Sequence, residues 1–436
     1  SHLPPPTFKI RIVFETVRRL RRSARVARAG AAIYLGYKRT QRRARRLPPE
    51  QAEAAWLARH EAAAETLYRL ATDLRGLYIK SGQFIGTRTD LLPEPYTRSL
   101  SRLQDAVPPH PFEVVRRTIE AEFDAPISDL FGSFDPEPVA SASLAQVHRA
   151  TLPGGRQVVV KVQYPEVAGL VRLDLRNLKT IVGLVARLEP SFDFRTVVNE
   201  IASQVPLELD FEREADMTRR VRANLAALPG VVVPEVIPGY VRRRVLVTEY
   251  LEGARLLDAE RRDAHAPDRA ALAQTISSAY GHQIMVDGLF QADPHPGNIL
   301  VLPGGAVALL DFGLTKELPD AARRGFARLV LATAARDPEG IVRAFRELGV
   351  RTRSEDPESL LATLAILFEP RPIDAGRSEL RERNRVLRAN PVEQIPGDLV
   401  LLGRVIGLLR GVCASLGTPL SPMQMLRPYA ERALAG

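Results

Sequence analysis

The sequence contains a single cysteine, Cys413, among its 436 residues. Neither a disulfide framework nor a cysteine-based zinc site can be built from one cysteine. No run of eighteen apolar residues occurs, so the sequence predicts no transmembrane helix. The apolar segment that follows an N-terminal charge in a secretory signal peptide is also missing. These absences favour a reducing compartment, and the 45% hydrophobic and 26% charged composition is typical of a globular protein.

Acidic residues are scarce near the N-terminus. Residues 1–46 carry fourteen lysines and arginines but one acid, Glu15, and because the net charge of the chain is +10, the remainder is slightly acidic. A nearly neutral body argues against general nucleic-acid binding. Apolar residues between the arginines suit a helix that lies in a membrane interface. A transit-peptide remnant and a nucleic-acid-binding arm are the alternatives. We predict a helical basic arm that binds an anionic membrane surface, with no nucleic-acid partner.

Two short segments have the spacing that is typical of phosphoryl transfer. Asp293 and Asn298 are the ends of Asp-Pro-His-Pro-Gly-Asn, and Asp311 opens an Asp-Phe-Gly triplet thirteen residues later. Protein kinases place a catalytic aspartate and a metal-binding asparagine at this spacing, followed by a second metal-binding aspartate in Asp-Phe-Gly. We therefore predict that Asp293 is the catalytic carboxylate and that Asn298 and Asp311 bind Mg²⁺. His295 is better explained as a loop histidine held by a backbone hydrogen bond than as a catalytic base.

A lysine stands unusually within an apolar strand. Lys161 lies in Val-Val-Val-Lys-Val, where strand alternation places it on the same face as Val159. By itself it would suit a solvated edge strand. Beside the two aspartate motifs, it matches the kinase lysine that contacts the nucleotide phosphates and pairs with a helix glutamate. The acidic segment 208–214 offers that glutamate, but helical periodicity does not choose among its acids.

The segment before this strand occupies the place of the glycine-rich phosphate loop of a kinase. Alanines and serines replace the glycines, and their small side chains still let the backbone approach a phosphate, although alanine restricts φ. The predicted nucleotide-binding residues are Ala140, Ser141, Ala142, Ser143, Gln146, Lys161 and Glu249.

The predicted elements run from helices through a small sheet to helices that carry a catalytic hairpin. A single helix is predicted over residues 50–86, and hairpins are predicted around Gly154-Gly155 and Gly304-Gly305. The predicted fold is α+β, a bilobal protein kinase-like fold with an added N-terminal helical extension and a helical C-terminal region. Four regions are expected: the basic arm 1–48, the helical extension 49–135, an N-lobe-like region with the sheet and inserted helices 136–252, and a C-lobe-like region 253–436.

Four motifs together resemble those of the UbiB/AarF (ADCK-type) atypical kinase family. They are Lys80-Ser-Gly-Gln83, which is similar to a K-x-G-Q motif, the alanine-rich loop 140–146, Glu208-Leu-Asp210, which is similar to E-x-D, and the loop 293–298. The resemblance covers roughly residues 60–350 and is specific as a combination. It implies that Glu214 pairs with Lys161. It further implies that Lys80, Gln83, Glu208 and Asp210 meet in an extension that covers the active site.

The resemblance also implies a function. It suggests binding of ATP and Mg²⁺, ATPase activity rather than phosphorylation of proteins, and a role in the metabolism of isoprenoid quinones or other lipids. The expected partners are ATP, an isoprenoid or quinone lipid, an anionic membrane and proteins of quinone biosynthesis. The expected location is the cytoplasm at the inner membrane, with the matrix side of an organelle as the alternative. A conventional protein or small-molecule kinase and a nucleotide-binding pseudokinase are the other functions considered.

Overall fold

The structure is a computed structural model that describes most of the chain. The described ranges are 6–86, 93–104, 108–189, 194–258, 268–353, 392–418 and 422–435, with residues 360, 368 and 390. The chain forms two compact units. The first comprises Ser1–Arg156, Val160–Asp210 and Arg242–Val245, and the second comprises Gln157–Val159, Phe211–Val241 and Leu246–Gly436.

The first unit is mainly helical. Its helices are α1 Pro6–Ala44, α2 Pro49–Leu74, α3 Leu77–Gly86, α4 Glu94–Ser101, α5 Phe112–Phe123, α6 Ile127–Leu130, α7 Val167–Leu188 and α8 Arg195–Gln204. α1 ends ahead of Pro48-Pro49 because a residue that precedes proline disfavours the helical conformation. Pro49 then opens α2, where its missing N–H has no helical partner to lose.

The single helix predicted over residues 50–86 is two helices in the structure. α2 ends at Leu74, and Arg75 and Gly76 both have a φ of 56°. A positive φ interrupts an α-helix, and glycine adopts it without the steric cost of a Cβ atom. The break gives α3 its own direction, and α3 is the helix that carries Lys80-Ser-Gly-Gln83.

The basic N-terminal helix α1 packs into the first unit through a buried arginine. Arg22 is 8% exposed, and its Nε and Nη2 donate to the two carboxylate oxygens of Asp174 at 2.7 and 2.6 Å. Its Nη1 donates to the carbonyl of Leu74 at 2.6 Å. Burial raises the pKa of Asp174, and the guanidinium of Arg22 opposes that rise. Arg22 therefore fixes α1 both to α7 and to the end of α2, directly before the helix break.

The strands form short sheets. In chain order they are β1 Ser133–Ser141, β2 Ala145–Thr151, β3 Gln157–Gln163, β4 Val231–Val232, β5 Val236–Arg242, β6 Val245–Glu249, β7 Ala254–Arg255, β8 Leu289–Gln291, β9 Ile299–Val301, β10 Val307–Leu309, β11 Thr315–Glu317, β12 Arg351–Thr352 and β13 Val392–Gln394. The sheet orders are β1-β2-β3-β6-β5, β4-β10-β9-β7, β11-β8 and β12-β13. The predicted hairpin around Gly154-Gly155 is formed by β2 and β3, with Gly155 at a φ of 83°.

The second unit carries the remaining helices around one large core. These helices are α9 Phe211–Leu225, α10 Arg269–Gly281, α11 Asp320–Ala334, α12 Pro338–Glu347, α13 Gly397–Ser415 and α14 Pro422–Ala435. The predicted hairpin around Gly304-Gly305 is also present, because β9 and β10 pair antiparallel with Val301 opposite Val307. Tyr280, Phe312 and Phe326 are fully buried in this core. The hairpin of β9 and β10, which leads to Asp311, is thus anchored in the interior of the second unit.

One further observation bears on the prediction of no transmembrane helix. Within the ranges that the structure describes, no helix is both long and apolar enough to cross a membrane.

Candidate active site

The loop from Asp293 to Asn298 is held by its own backbone. The N–H of His295 donates to the carbonyl of Asp293 at 2.7 Å, and the N–H of Asn298 donates to the carbonyl of His295 at 2.9 Å. The side chain of His295 caps the short helical turn Pro296–Asn298, where its Nδ1 accepts from the N–H of Gly297 at 3.1 Å. This backbone bond is the one expected for His295 as a loop histidine. The loop is therefore ordered by local hydrogen bonds.

The side chain of Asn298 is oriented by the same loop. Its Nδ2 donates to the carbonyl of Asp293 at 3.2 Å. Because the amide nitrogen makes this bond, the amide oxygen is the atom left to serve as an acceptor or a metal ligand. This orientation is compatible with Asn298 as a Mg²⁺ ligand, a role that stays a prediction.

Asp311 follows β10 in the tight turn of Asp-Phe-Gly. Its Oδ1 accepts from the N–H of Gly313 at 3.0 Å, and the neighbouring Phe312 is fully buried. A Cβ atom on Gly313 would lie 3.3 Å from Oδ1 of Asp311 and 3.4 Å from Oε2 of Glu214. Glycine at this position therefore lets two carboxylates approach the same backbone segment.

A fully buried polar network lies beneath the catalytic loops. The hydroxyl of Tyr280 donates to Oε1 of Gln291, and Nε2 of Gln291 donates to the carbonyl of Asp311. The N–H of Gln291 in turn donates to Oε1 of Gln283 at 3.0 Å. Burial, followed by the negative charge of Asp293, raises the pKa of Tyr280 well above its ordinary value. The network fixes the backbone of Asp311 against the strand that leads to Asp293.

A π-helical turn contributes one residue to this network. α10 continues into the π-helix His282–Asp287, which ends at Gly288 with a φ of 65°. A π-turn inserts an extra residue into the helical ladder and often occurs at functional sites. Here it contains Gln283, the residue that binds the backbone of Gln291.

α9 approaches the Asp-Phe-Gly segment with two adjacent side chains. Glu214 is 2% exposed, and its carboxylate lies beside Gly313. Arg213 donates through Nη1 to the carbonyl of Gly313 at 3.1 Å and through Nη2 to the carbonyl of Thr315 at 2.8 Å. α9 begins at Phe211, and within it Glu212 is exposed whereas Glu214 is buried. The pairing of Glu214 with Lys161 stays a prediction.

The oxygen ligands of the second unit suit Mg²⁺. Magnesium prefers hard oxygen donors, and it is commonly held by one or two carboxylates together with water and substrate phosphates. The carboxylate of Asp311 and the oriented amide oxygen of Asn298 match this need. Within the described part of the chain, no group of three or more His, Cys, Asp or Glu side chains forms a metal cage. The binding of Mg²⁺ by Asp311 and Asn298 stays a prediction that their oxygen atoms fit.

The alanine-rich loop lies in the turn between β1 and β2. Ser141 pairs with Gln146 in the register of these strands, and the N–H of Ala142 donates to the carbonyl of Ala145 at 2.8 Å. Ala142 is exposed, Ala140 is partly exposed, and Ser143 is buried. The hydroxyl of Ser141 is bonded to the hydroxyl of Tyr164 at 2.9 Å.

The side chain of Gln146 is buried and hydrogen-bonded within the first unit. Its Oε1 accepts from the N–H of His110 at 2.8 Å. Its Nε2 donates to the carbonyl of His110 at 3.3 Å and to Nε2 of His148 at 2.8 Å. These bonds fasten the segment at His110 to the hairpin of β1 and β2. The role of Gln146 in nucleotide binding stays a prediction.

Lys161 and Glu249 lie on neighbouring strands of one sheet. Lys161 is partly exposed on the face of Val159, whereas Val160 and Val162 on the other face are buried, as the alternation predicted. Glu249 accepts from the N–H of Glu235 at 3.2 Å through its Oε2. The roles of both residues in nucleotide binding stay predictions.

The K-x-G-Q and E-x-D motifs meet in the first unit. Nζ of Lys80 lies 2.9 Å from Oε2 of Glu208, and both side chains are largely buried. Glu208 lies in the short turn Leu207–Leu209, whose last carbonyl accepts from Nε2 of Gln163 at 3.1 Å. Asp210 ends this turn. The side chain of Gln83 lies outside the described residues.

Sequence reasoning missed several residues around the loops of Asp293 and Asp311. Arg213, Gln283 and Gln291 bind backbone atoms of other segments, and no motif spacing marks such contacts. Tyr280 binds the side chain of Gln291. Arg404 is a further case: its Nη2 lies 3.5 Å from Oδ1 of Asp293, although it stands in α13, more than a hundred residues away. An arginine within an apolar helix was the signal that could have drawn attention to it.

The fold and these loops place the chain in the protein kinase-like class, and comparisons with known proteins agree. Residues 102–345 match the ABC1 atypical kinase-like domain. AarF domain-containing protein kinase 1 of Xenopus tropicalis is 31% identical over 385 residues, which span 84% of this chain and 73% of that protein. A probable protein kinase UbiB of Marinobacter nauticus is 33% identical over 381 residues, which span 83% of this chain and 69% of that protein.

A solved structure agrees as well. The complex of Rv3197 with erythromycin from Mycobacterium tuberculosis has a TM-score of 0.59 and 25% identity, covering 87% of this chain and 97% of that chain. The chain therefore belongs to the ABC1/AarF family of atypical kinases. The predicted α+β kinase-like fold with added N-terminal and C-terminal helices is confirmed.

Proposed function

We propose that this protein binds Mg-ATP and hydrolyses it, and that this activity serves isoprenoid-quinone or other lipid metabolism at a membrane surface. One observation carries the catalytic part of the proposal. In the second unit, Asp293, Asn298 and Asp311 all belong to loops that are fixed by hydrogen bonds, and Asn298 presents an oxygen. Phosphoryl transfer depends mainly on such preorganised charge and position.

Each of these residues has a definite chemical task. Asp311 and Asn298 would hold Mg²⁺, which when bound neutralises charge on the phosphates. Lys161 would contact the phosphates from β3. In hydrolysis, the oxygen of water bonds to the γ-phosphorus, the bond from phosphorus to the β–γ bridging oxygen breaks, and ADP leaves. The carboxylate of Asp293, whose side chain is 27% exposed, is accessible to take the proton of that water.

The ion pair of Lys80 with Glu208 favours hydrolysis over the phosphorylation of proteins. It joins α3 to the E-x-D segment within the first unit, through largely buried groups. The resemblance of these two motifs implies that the extension restricts access of a protein substrate. Water and small acceptors are then the groups that can receive the phosphate.

An ATPase assay with a matched pair of variants tests the catalytic proposal. We expect Asp311→Asn to lower the turnover of ATP by about 100-fold, because a carboxylate that stabilises the transferring phosphate is lost. Asp216→Asn, at an exposed position on α9, is the control and should turn over ATP normally. Absence of nucleotide binding by the wild type, or normal hydrolysis by Asp311→Asn, would refute the proposal. Strong phosphorylation of added proteins would instead favour a conventional kinase.

The membrane part of the proposal is supported by the outer face of α1. Leu20 and Leu35 are 65% and 52% exposed, although the same helix buries Val26. Exposed arginines share this outer face, namely Arg21, Arg25, Arg28, Arg39 and Arg42. Arginines with apolar neighbours suit an anionic interface, where each basic residue near the surface contributes about 1 kcal/mol. The location that we propose is the cytoplasmic face of the inner membrane.

Vesicle sedimentation tests this face. Because Arg22 and Val26 are buried, point substitutions are preferable to removal of α1. We expect the variant with Arg21, Arg25 and Arg28 changed to glutamate to lose binding to vesicles that contain anionic phospholipid. Neither protein should bind vesicles of phosphatidylcholine alone.

A control variant separates the effect of this face of α1 on vesicle binding from the effect of net charge. Changing the exposed Arg219, Arg343 and Arg427 of the second unit to glutamate alters the total charge equally. This variant should sediment with anionic vesicles like the wild type. Equal loss of binding in both variants would refute a specific role for α1.

The lipid substrate class is proposed from the relatives. One relative is named as a probable kinase UbiB, and the resemblance implied isoprenoid-quinone metabolism. We expect ATP turnover to rise when anionic vesicles contain an isoprenoid quinone, and proteins of quinone biosynthesis are the expected further partners. Turnover that is the same with and without the quinone would contradict this part of the proposal.

A further inference from the structure

The buried guanidinium of Arg404 lies against the catalytic-position carboxylate. Its Nη2 is 3.5 Å from Oδ1 of Asp293, and the arginine side chain is 7% exposed. We propose that Arg404 is a positioning residue that holds the carboxylate of Asp293 for the phosphate chemistry. This inference rests on the proposed ATPase function and adds a residue to it.

The surroundings of Arg404 require such an anionic contact. α13 is an apolar helix in which Leu401, Leu402, Val405 and Ile406 are all buried in the core of the second unit. A charge that is removed from water in this setting is costly unless an opposite charge or hydrogen bonds compensate it. An ion pair with the same N–O distance at an exposed position would contribute little to stability. The contact with Asp293 therefore compensates a charge that is buried inside the fold.

α13 has a second ionic contact with the catalytic segment. Asp398, in the first turn of the helix, accepts from Nζ of Lys316 at 3.1 Å, and Lys316 lies in β11 just after Asp-Phe-Gly. Arg404 follows Asp398 by six residues, which is about 9 Å along the helix axis. One helix thus contacts both the Asp293 loop and the strand that follows Asp311.

This helix lies outside the part of the chain that matches the family domain. That match ends at residue 345, whereas α13 covers Gly397–Ser415. The geometry points to a carboxylate, that of Asp293, that is held in position by a helix C-terminal to the matched domain. Arg404 suits this task because a guanidinium is always charged and is planar, so it keeps a carboxylate in one orientation.

Three variants test the role of Arg404 in ATP hydrolysis. Arg404→Ala should lower kcat by about tenfold or more and leave the KM for ATP within about twofold. Added guanidinium ion should restore part of the turnover of Arg404→Ala, because it can occupy the space of the lost group. Arg404→Lys should keep intermediate activity. Arg427→Ala, which removes an exposed arginine on α14, is the control and should equal the wild type.

Hydrogen exchange provides a readout that does not depend on turnover. In Arg404→Ala, the amides of Asp293, His295, Gly297 and Asn298 should exchange about tenfold faster than in the wild type, while those of α11 stay unchanged. Unchanged exchange in this loop, or a kcat equal to that of the wild type, would overturn the role of Arg404. Loss of activity without rescue by guanidinium would also overturn it. Absence of turnover in the wild type would refute the proposed function alone, because the exchange result would still decide the contact.

Discussion

Replacing Gln291 by leucine tests whether the buried network fixes the backbone of Asp311, the predicted Mg²⁺ ligand. Gln291 is fully buried, accepts from the hydroxyl of Tyr280 and donates to the carbonyl of Asp311. Leucine is close to glutamine in size, so the change removes polar contacts with little loss of volume. The hydrogen bond from the N–H of Gln291 to Oε1 of Gln283 does not involve the side chain of Gln291, so it should persist in the variant.

The expected loss of stability follows from the groups left behind. The hydroxyl of Tyr280 and the carbonyl of Asp311 would both be buried without this partner, at about 1–3 kcal/mol each. Gln291→Leu should therefore lower the free energy of unfolding by about 2–6 kcal/mol. Tyr280→Phe alone should cost about 1–3 kcal/mol. The double variant should lose about 1–2 kcal/mol less than the sum, because the hydroxyl that Gln291→Leu strands is then absent.

Urea denaturation followed by circular dichroism measures these differences. The matched control is Gln274→Leu, the same change at an exposed position of α10, which should alter stability by less than about 0.5 kcal/mol. ATP turnover by Gln291→Leu should also fall, because the backbone of Asp311 loses its restraint. A free energy of unfolding within about 0.5 kcal/mol of the wild type, or strict additivity in the cycle, would refute the reasoning.

Two further predictions concern the first unit. Arg22→Met should destabilise it by about 3–5 kcal/mol because Asp174 stays buried without its cation; denaturation followed by the emission of Trp56 measures this, and full stability would contradict it. Burial lowers the pKa of His148 below its ordinary 6.5, so the unfolded chain binds the proton first and stability is lost as the pH falls below about 6.5. His148→Gln should flatten this dependence in melting temperatures between about pH 5 and 8, and an unchanged slope would contradict the assignment.

Much of the local structure and the main motifs could be predicted from the sequence. Glycines mark the two hairpins because Gly155, Gly304 and Gly305 supply the positive φ that the turns need. The alternation of valines around Lys161 gave the correct faces of β3. The helix over 50–86 was wrong in one respect, since helical periodicity continues across Arg75 and Gly76 and does not show a change of backbone direction.

The candidate site could be predicted less well from the sequence wherever a side chain binds the backbone of a distant segment. The hydrogen bonds of Gln146 to His110 and His148 could not be predicted from its place in the alanine-rich loop. The contact of Lys80 with Glu208 was implied by the resemblance of their motifs and is present. Their roles in catalysis stay predictions.

The sequence by itself determined which residues are candidates for the chemistry of this protein. Asp293, Asn298 and Asp311 could be named as candidates because their spacing along the chain is typical of kinase catalytic segments. The tertiary structure alone decided what holds those groups in place. Arg404 reaches Asp293, and Gln291 binds Asp311, only because helices and strands far apart in the chain pack into one core. A contact set by packing depends on the whole fold, and so it leaves no periodic signal in the sequence.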